Sequence, residues 1–520
     1  MAETYDSVNL YDQEDLTYNG TAVTSISING IHGHSFVDGT EDLIVVWNNH
    51  PVIYNSSTTA WEFQSVTLAT DTDVYFESFL DHVFMVNYSE NNYSYNGTAW
   101  STTTNVTGSP IAQFVKEHKT RLYLYKVYLG GTAYPSFCWY SDFPKKGVLK
   151  WGLETNSDLV QSASSAVITS SGATFITKNI KVGDPIWILD GDNSGQYTVL
   201  TVDSETQLTL TESLTSASSS NNYWVGGNYI EIATEDGDMG MGMAETSNEL
   251  FLFKKNSLWR YDSVGKVLRK VKTAPGTTSS RSIVESGGYI YWYHPSGIYR
   301  TQGSEEQLIS NTIEDAIEGV SSSFQSEVCG WRNEIDKTVN MYLGTVTLRD
   351  GRMITHAVAC FNESSETMSI RSLKTRIKVA TNWLESNVPK VYAGDTTRTV
   401  YQLESGYDFN GSAIPFELET KPIYPVGSSE PVNFSKIEAF VDNGPDIIIL
   451  YKLLYREKVD GKSFVNDQDW TPLRGDQLGD MSTWYFPTNS VATGVKLKVI
   501  ETSTNESFLL EKLVIYYNDV

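Results

Sequence analysis

The chain has few cysteines, little positive charge and no long apolar run, and each shortage removes a class of function. Its 520 residues hold three cysteines, Cys138, Cys329 and Cys360, with no C-x-x-C pair. An odd, unpaired set builds neither a disulfide framework nor a zinc ribbon, so buried thiols are expected. Lys and Arg number 38 against 63 Asp and Glu, a net charge of −25. A surface that wraps DNA needs cations to release counterions from phosphates, so sequence-general DNA binding is excluded. The longest purely apolar stretches, such as Ile447 to Leu450, reach about a quarter of the length of a membrane helix, and no span is expected. Met1 to Asp15 is acidic, with neither a basic n-region nor an apolar h-region. No secretory signal is therefore expected, and assembly in cytoplasm is. Asn-x-Ser/Thr triplets such as those at Asn19 and Asn96 then follow from composition alone.

Ring side chains are abundant. Aromatics make up 12% of the chain, with 31 Tyr and 13 Trp, too many for a disordered acidic polymer. Apolar period 3.6 almost never persists, while short β-branched and aromatic runs recur between Gly, Asn, Asp and Ser clusters, which indicates an all-β protein. The best helical segment is Asn311 to Val320, with Asn311 or Thr312 as cap and Ile313 and Ile317 four apart.

Repeats set the expected architecture. Apolar strands begin near Leu43, Val83, Leu122, Leu250, Tyr289, Val339 and Val391, mostly at intervals of about 40 to 50 residues, the length of a four-stranded propeller blade. In four copies an aromatic-bearing strand follows: Tyr54 to Trp61, Tyr93 to Trp100, Leu258 to Tyr261 and Ile298 to Tyr299. Tyr-Asn-Gly-Thr-Ala occurs at Tyr18 to Ala22 and again at Tyr95 to Ala99, with Phe409 to Ala413 as a looser copy. Asn-Gly suits the two positive-φ positions of a type I′ hairpin. The expected fold is a six- or seven-bladed propeller, in residues 1–157 and 229–415.

The long step from Leu122 to Leu250 marks an insertion, residues 158–228, read as a small β-barrel of about five strands with flexible joints at Ser162 to Ser165 and Ser216 to Asn222. Past Pro415, longer strands at Ser435 to Val441, Ile447 to Arg456, Trp484 to Phe486, Val495 to Ile500 and Phe508 to Tyr517 suggest a β-sandwich over 416–520. Its loops are expected at Asn443-Gly444-Pro445, Asp460-Gly461 and Arg474-Gly475-Asp476.

Nothing in the sequence converges on catalysis. His32-Gly33-His34 would place both rings on one strand face, yet no third metal ligand is in view, and a solvated turn is expected. Asp190-Gly191-Asp192-Asn193 starts like a calcium loop, but Thr201 stands where an EF-hand needs Glu, which favours a hairpin tip. Glu235-Asp236-Gly237-Asp238 before Met239-Gly240-Met241-Gly242-Met243 is too acidic for a phosphate cradle and reads as a mobile loop entering a blade. Adjacent Glu305 and Glu306 would face opposite ways on a strand. No G-x-S-x-G, no Ser-x-Asp-x-Gly-x-x-Trp box and no Gly-His…Trp-Asp signature is present. No catalytic, cofactor-binding or metal residue is assigned.

Three segments resemble one family. Asp236-Gly237-Asp238 leads into Glu249-Leu250-Phe251-Leu252-Phe253-Lys254-Lys255-Asn256-Ser257-Leu258-Trp259. Val400-Tyr401-Gln402-Leu403-Glu404-Ser405-Gly406 is followed by Asn410-Gly411 and by Ile414-Pro415-Phe416-Glu417-Leu418-Glu419-Thr420-Lys421. The insertion carries Phe175, Val182-Gly183-Asp184-Pro185 and Gly195-Gln196-Tyr197-Thr198-Val199. Together they resemble the tail nozzle or tail hub proteins of short-tailed bacteriophages, also called packaged-DNA stabilisation proteins. The resemblance implies a virion protein in a hexameric ring below portal and adaptor, around the channel through which DNA leaves. It also implies tail fibres or other tail proteins as neighbours, and six blades where seven strand repeats are counted. An acidic channel wall would let a polyanion slide without binding. The competing expectation is a propeller adhesin that stacks exposed aromatics on host glycans; a glycosidase ranks third.

Overall fold

A computed structural model of the chain describes residues 5–6, 17–18, 21–22, 27–55, 60–397, 399–403, 416–426, 430–442, 447–459, 462–467, 469–478, 481–501 and 509–519. They are almost entirely strand. The chain divides into two units, 8–401 and 1–7 with 402–520.

The larger unit is built from small antiparallel sheets in chain order. The first holds Ile28–Ser35, Glu41–Trp47, His50–Asn55 and Ala60–Phe63, and the second Tyr75–Phe79, His82–Val86, Tyr93–Tyr95 and Trp100–Ser101. The third holds Ile111–His118, Arg121–Leu129, Thr132–Tyr140 and, after a long excursion, Tyr229–Glu231. The fourth runs Gly240–Glu245, Leu250–Lys254, Leu258–Asp262 and Val267–Lys270; the fifth Val284–Ser286, Tyr289–His294, Gly297–Thr301 and Glu306–Leu308. The sixth is Cys329–Asn333, Thr338–Thr347, Met353–Asn362 and Thr367–Ser372; the seventh contains Val379–Glu385, Val388–Gly394 and Val400–Leu403. The opening strand of each sheet packs on that of the next, and Val379–Glu385 returns to Ile28–Ser35, so the seven sheets form a closed cycle.

All seven apolar runs found in the sequence are second strands of these sheets. A second strand has ladder partners on both edges and a neighbouring sheet on each face, so it tolerates apolar residues at every position. Leu250, Phe251, Leu252 and Phe253 are all fully buried. Neighbouring sheets share apolar clusters: Phe36, Ile44, Ile53, Val83 and Tyr95 between the first and second, Phe251, Phe253, Ile290 and Trp292 between the fourth and fifth.

The inserted segment is a closed barrel of six strands from Glu154 to Val225, not five. The missed strand is Ser218–Val225, whose Ser- and Asn-rich start looks like a linker yet pairs with both Glu154–Gln161 and Pro185–Ile188. The other expected joint is the tight hairpin between Glu154–Gln161 and Ser165–Ser170. Trp139, Trp151 and Trp224 pack together at the barrel's base. Their indole N–H groups donate to Trp151 O, Asn105 O and Tyr134 Oη, each at 2.9 Å.

Smaller differences have local causes. Thr17–Tyr18 pairs with Thr21–Ala22 across Asn19-Gly20, as the turn motif implies. The second copy instead forms a longer loop, because Tyr95 pairs with Trp100 and the Asn96 carboxamide accepts from the Thr98 and Ala99 N–H groups. The α-helix is Glu314–Glu318, preceded by a 3₁₀ turn, and neither Asn311 nor Thr312 caps it. Cys138 and Cys329 are buried, Cys360 only half-buried.

In the smaller unit Tyr5–Asp6 pairs antiparallel with Gln402 and Leu403. Its other strands form two sheets, one containing Phe416–Glu419, Gly494–Glu501, Ile447–Val459 and Lys462–Asp467, the other Arg474–Leu478, Met481–Ala492, Val432–Asp442 and Leu509–Asp519. Val432, Phe434, Ile437, Ile449, Leu453, Trp484, Phe486, Val495 and Val499 from both sheets meet in one core. Arg474-Gly475-Asp476, expected as a loop, is strand, since it ladders with Trp484 and its neighbours. Phe409 to Ala413 and the loops at Asn443-Gly444-Pro445 and Asp460-Gly461 lie outside the described residues.

Closure of the cycle predicts the effect of one methyl group. A Cβ on Gly33 would stand 2.2 Å from the Trp383 ring of the seventh sheet, whereas one on Gly303 would meet nothing within 4 Å. Gly33→Ala is expected to lower unfolding free energy by about 1–3 kcal/mol in urea titration, and Gly303→Ala to leave it nearly unchanged.

Candidate functional site

Opening strands of six of the sheets wall a cavity of about 340 Å³. Apolar residues such as Phe76, Phe114, Ile283 and Trp331 line it together with Glu77, Lys116, Glu285 and Arg332. The Lys116 ammonium lies 3.1 Å from Glu285 Oε2 and 3.7 Å from Glu77 Oε1, tying the third sheet to the fifth and second. Glu285 also accepts from the Glu245 N–H at 2.7 Å, and Glu245 pairs with His118 Nδ1 at 2.8 Å. Burial pushes the Glu77 carboxyl up to about 7, Lys116 opposing and Glu285 and Glu245 adding to the rise. Burial works against the Lys116 ammonium, but the carboxylates around it outweigh that and hold its pKa above the ordinary lysine value.

Toward the N-terminal ends of the same strands, Arg281 crosses between sheets. Its guanidinium donates to Asn29 O at 2.8 Å, Lys378 O at 3.2 Å and Asp73 Oδ1 at 2.7 Å. Tyr75 and Ser280 share a short hydroxyl–hydroxyl hydrogen bond beside it. Cations thus bridge the opening strands at two levels, and the cavity that Lys116 lines is at the small end of small-molecule pockets.

A second cleft, of about 570 Å³, lies between the first and second sheets, lined by Glu41, Asp42, Tyr54, Glu62, Gln64, Tyr95 and neighbouring backbone. Asp42 is 8% exposed, and its Oδ2 accepts from the Tyr95 hydroxyl at 3.1 Å. Burial, assisted by Asp38 and Glu62, holds the Asp42 carboxyl above its ordinary range despite that hydrogen bond.

The residues singled out in the sequence are scattered. His32 and His34 stand on the opening strand of the first sheet, not on a turn. His32 Nε2 is 2.7 Å from Ser78 Oγ, and burial, with His34 and Lys116 nearby, pulls its pKa to about 3. His34 instead sets its ring edge-on to Phe36. Asp190 lies in the loop joining Pro185–Ile188 to Gly195–Val202; its carboxylate accepts from the Asn222 N–H at 3.0 Å and carboxamide at 2.6 Å. Asn193 Oδ1 is occupied by Thr215 and Ser216 donors. Protein donors thus take the Asp190 carboxylate and the Asn193 Oδ1 of that stretch.

Asp236 and Asp238 are not on a free loop. Asp236 pairs with the fully buried Lys254 ammonium, which also donates to Ile232 O and Ala233 O at 3.0 Å, and Asp238 accepts from the N–H groups of Lys255 and Asn256. The acidic triplet and the Lys-Lys-Asn that follows it are two halves of one clasp. Glu306 opens the last strand of the fifth sheet and Glu305 precedes it. Glu77, Lys116, Glu245 and Glu285 were missed because they are lone charges on separate strands. Among the described residues no group of three or more His, Cys, Asp or Glu could hold a metal ion, and no helix is long and apolar enough to cross a membrane.

No family model matches the sequence, and no curated protein matches it. Among solved structures the chain is similar to one described as phage phi92 endosialidase, at 10% identity and a TM-score of 0.26, covering 94% of this chain and 69% of that one. Overlap at that level carries no argument about fold or activity.

The axial charges predict a pH signature. A carboxyl whose pKa rises from 4.5 to about 7 on folding binds more protons in the native state, so its contribution falls as pH rises through that window. His32, lowered from 6.5 to about 3, binds fewer protons when native, so its contribution grows as pH rises over that range. Thermal melts of Glu77→Gln should gain on wild type between pH 4.5 and 8. A difference between the two proteins that stays constant across that range would contradict the burial of this carboxylate.

Proposed function

We propose that the chain is a structural subunit of a bacteriophage tail of the nozzle or hub kind, built to frame a DNA exit channel and not to catalyse. In this reading the seven sheets are blades of a propeller, and the two sheets of the smaller unit are a β-sandwich. The barrel and sandwich supply surfaces for neighbouring copies, a portal or adaptor ring, or fibres. The observation that carries it is the bridging between sheets by Lys116, which lines a space of about 340 Å³, and by Arg281 toward the N-terminal ends of the opening strands. Among the described residues the centre of the seven-sheet cycle offers no passage for a duplex, which is wider than its own major groove of about 12 Å. A channel must then be enclosed by several copies, and six is the number the family resemblance implies. The net charge of −25 suits a wall along which a polyanion slides.

Light scattering and negative-stain imaging of purified protein test this directly. A six-fold ring with a central hole is expected; a monodisperse monomer or a trimer at high concentration would discard the ring. Within such a ring, a strongly basic pore surface would discard the sliding wall.

A further inference from the structure

We propose that a basic, apolar surface where the third sheet meets the barrel docks an acidic face of a second copy of this chain. This names the contact that would build the ring, and it rests on that reading. Two segments make the surface. Residues 142–150 leave the third sheet as a strap pinned at both ends: the Asp142 N–H donates to Lys150 O at 2.7 Å, and Lys145 and Val148 exchange both backbone hydrogen bonds at 3.1 Å. Lys146 and Gly147 turn its tip at positive φ, as in a tight hairpin. The strap lies against a barrel loop, because Lys150 Nζ donates to Thr177 O at 3.0 Å and Lys181 pairs with Asp142 at 3.3 Å.

Charge sets this surface apart. Carboxylates outnumber cations by 63 to 38 in the chain, yet residues 143–150 and 176–182 hold five lysines and no Asp or Glu. Carboxylates at its margin are already engaged: Glu154 with Lys178 and Thr174, Asp142 with Lys181 and Asn179, Glu205 with the Ile176 and Thr177 N–H groups. Lys145 and Lys146 are exposed, and neither is in an ion pair among the described residues.

Phe143, Val148, Ile176 and Val182 come from the same two segments, each more than half exposed. The Arg121 guanidinium, 3.9 Å from the centre of the Phe143 ring, positions that ring and still leaves it open to solvent. Apolar side chains among lysines on a pinned strap have the makeup of a protein interface, with little ordering left to be done on binding. A phosphate backbone would use the lysines and leave the aliphatic side chains idle, whereas an acidic protein face uses both. A copy with a net charge of −25 supplies such a face. Lysines of two such surfaces repel each other, so the contact is with a different face of the next copy. That head-to-tail arrangement closes into a ring or continues as a filament.

Light scattering and sedimentation of the full-length protein compare wild type with Lys145→Glu/Lys146→Glu and with Ile176→Ser/Val182→Ser. A control, Lys266→Glu/Lys270→Glu, makes the same charge change at exposed positions of the fourth sheet. A wild-type ring is expected, weakened about tenfold or more in both surface variants and by raised salt, and kept in the control. Thermal melts establish that each variant is folded, and the apolar pair carries the test should the charge pair fail to fold. Equal assembly of wild type and surface variants overturns the inference and leaves the ring reading standing, as does equal weakening in the control. A two-fold dimer built on this surface overturns it too. Wild-type protein that stays monomeric overturns ring and inference together; if it then sediments with phosphatidylglycerol vesicles and the surface variants do not, the surface belongs to a lipid headgroup.

Discussion

A small sheet that is apolar on both faces needs cover on each, which its own strands cannot give. In residues 28–401 each sheet obtains that cover from its two neighbours. Val45 and Val46 of the first sheet are both fully buried although they point to opposite faces, as are Tyr291 and Trp292 of the fifth. The seventh sheet covers the first: Ile28, Val45, Val52, Val379, Tyr392 and Val400 belong to one cluster. Cover that runs in a circle has no weak end, and it makes every inter-sheet contact depend on the others.

That arrangement explains what could be read from residues alone. Second strands were legible because both faces are dry, which writes an unbroken apolar run. Opening strands were not. They crowd toward one another, and several carry glycine where a Cβ would collide with the next sheet: Gly30 with Phe76 at 2.8 Å, Gly242 with Ile283 at 2.5 Å, Gly330 with Val284 at 2.5 Å. Glycine and inward-facing polar residues make such strands look like loops. The same inversion hid Ser218–Val225 in the barrel, where Asn221 is 3% exposed and donates to Asp190 O. A buried asparagine that satisfies a loop carbonyl is indistinguishable in sequence from one in a linker.

The candidate sites were illegible for a different reason. Each is assembled from charges that lie far apart in the chain and have no local signature. Yet their chemistry has a common feature: four cations, Lys116, Arg281, Arg300 and Lys254, sit at joints between sheets or at the entry to one. Lys116 links the second, third and fifth sheets; Arg281 reaches Asn29 and Asp73; Arg300 of the fifth pairs with Glu366 of the sixth at 2.7 Å. Lys254 holds the entry to the fourth sheet against the end of its second strand. Removing one partner from such a pair strands a charge, which costs far more than the loss of a solvent-exposed pair.

Carboxylates outnumber cations by 63 to 38, and the surplus has consequences for association. A net charge of −25 repels a second copy as well as a polyanion, but the two differ in the short-range contacts that can offset the repulsion. Screening at physiological salt confines both to within about 8 Å of the surface. Copies held by short-range apolar and hydrogen-bonded contacts can overcome it where their surfaces touch, while a hydrated duplex sliding at a distance gains no such contact. In the proposed ring the same charge would permit closure and still keep DNA moving, provided that the contact faces carry few carboxylates. The outer barrel wall exposes Val160, Val167 and Leu200 at 46, 38 and 48%, apolar surface of the kind such a contact uses, whereas the cleft beside Asp42 is lined by carboxylates.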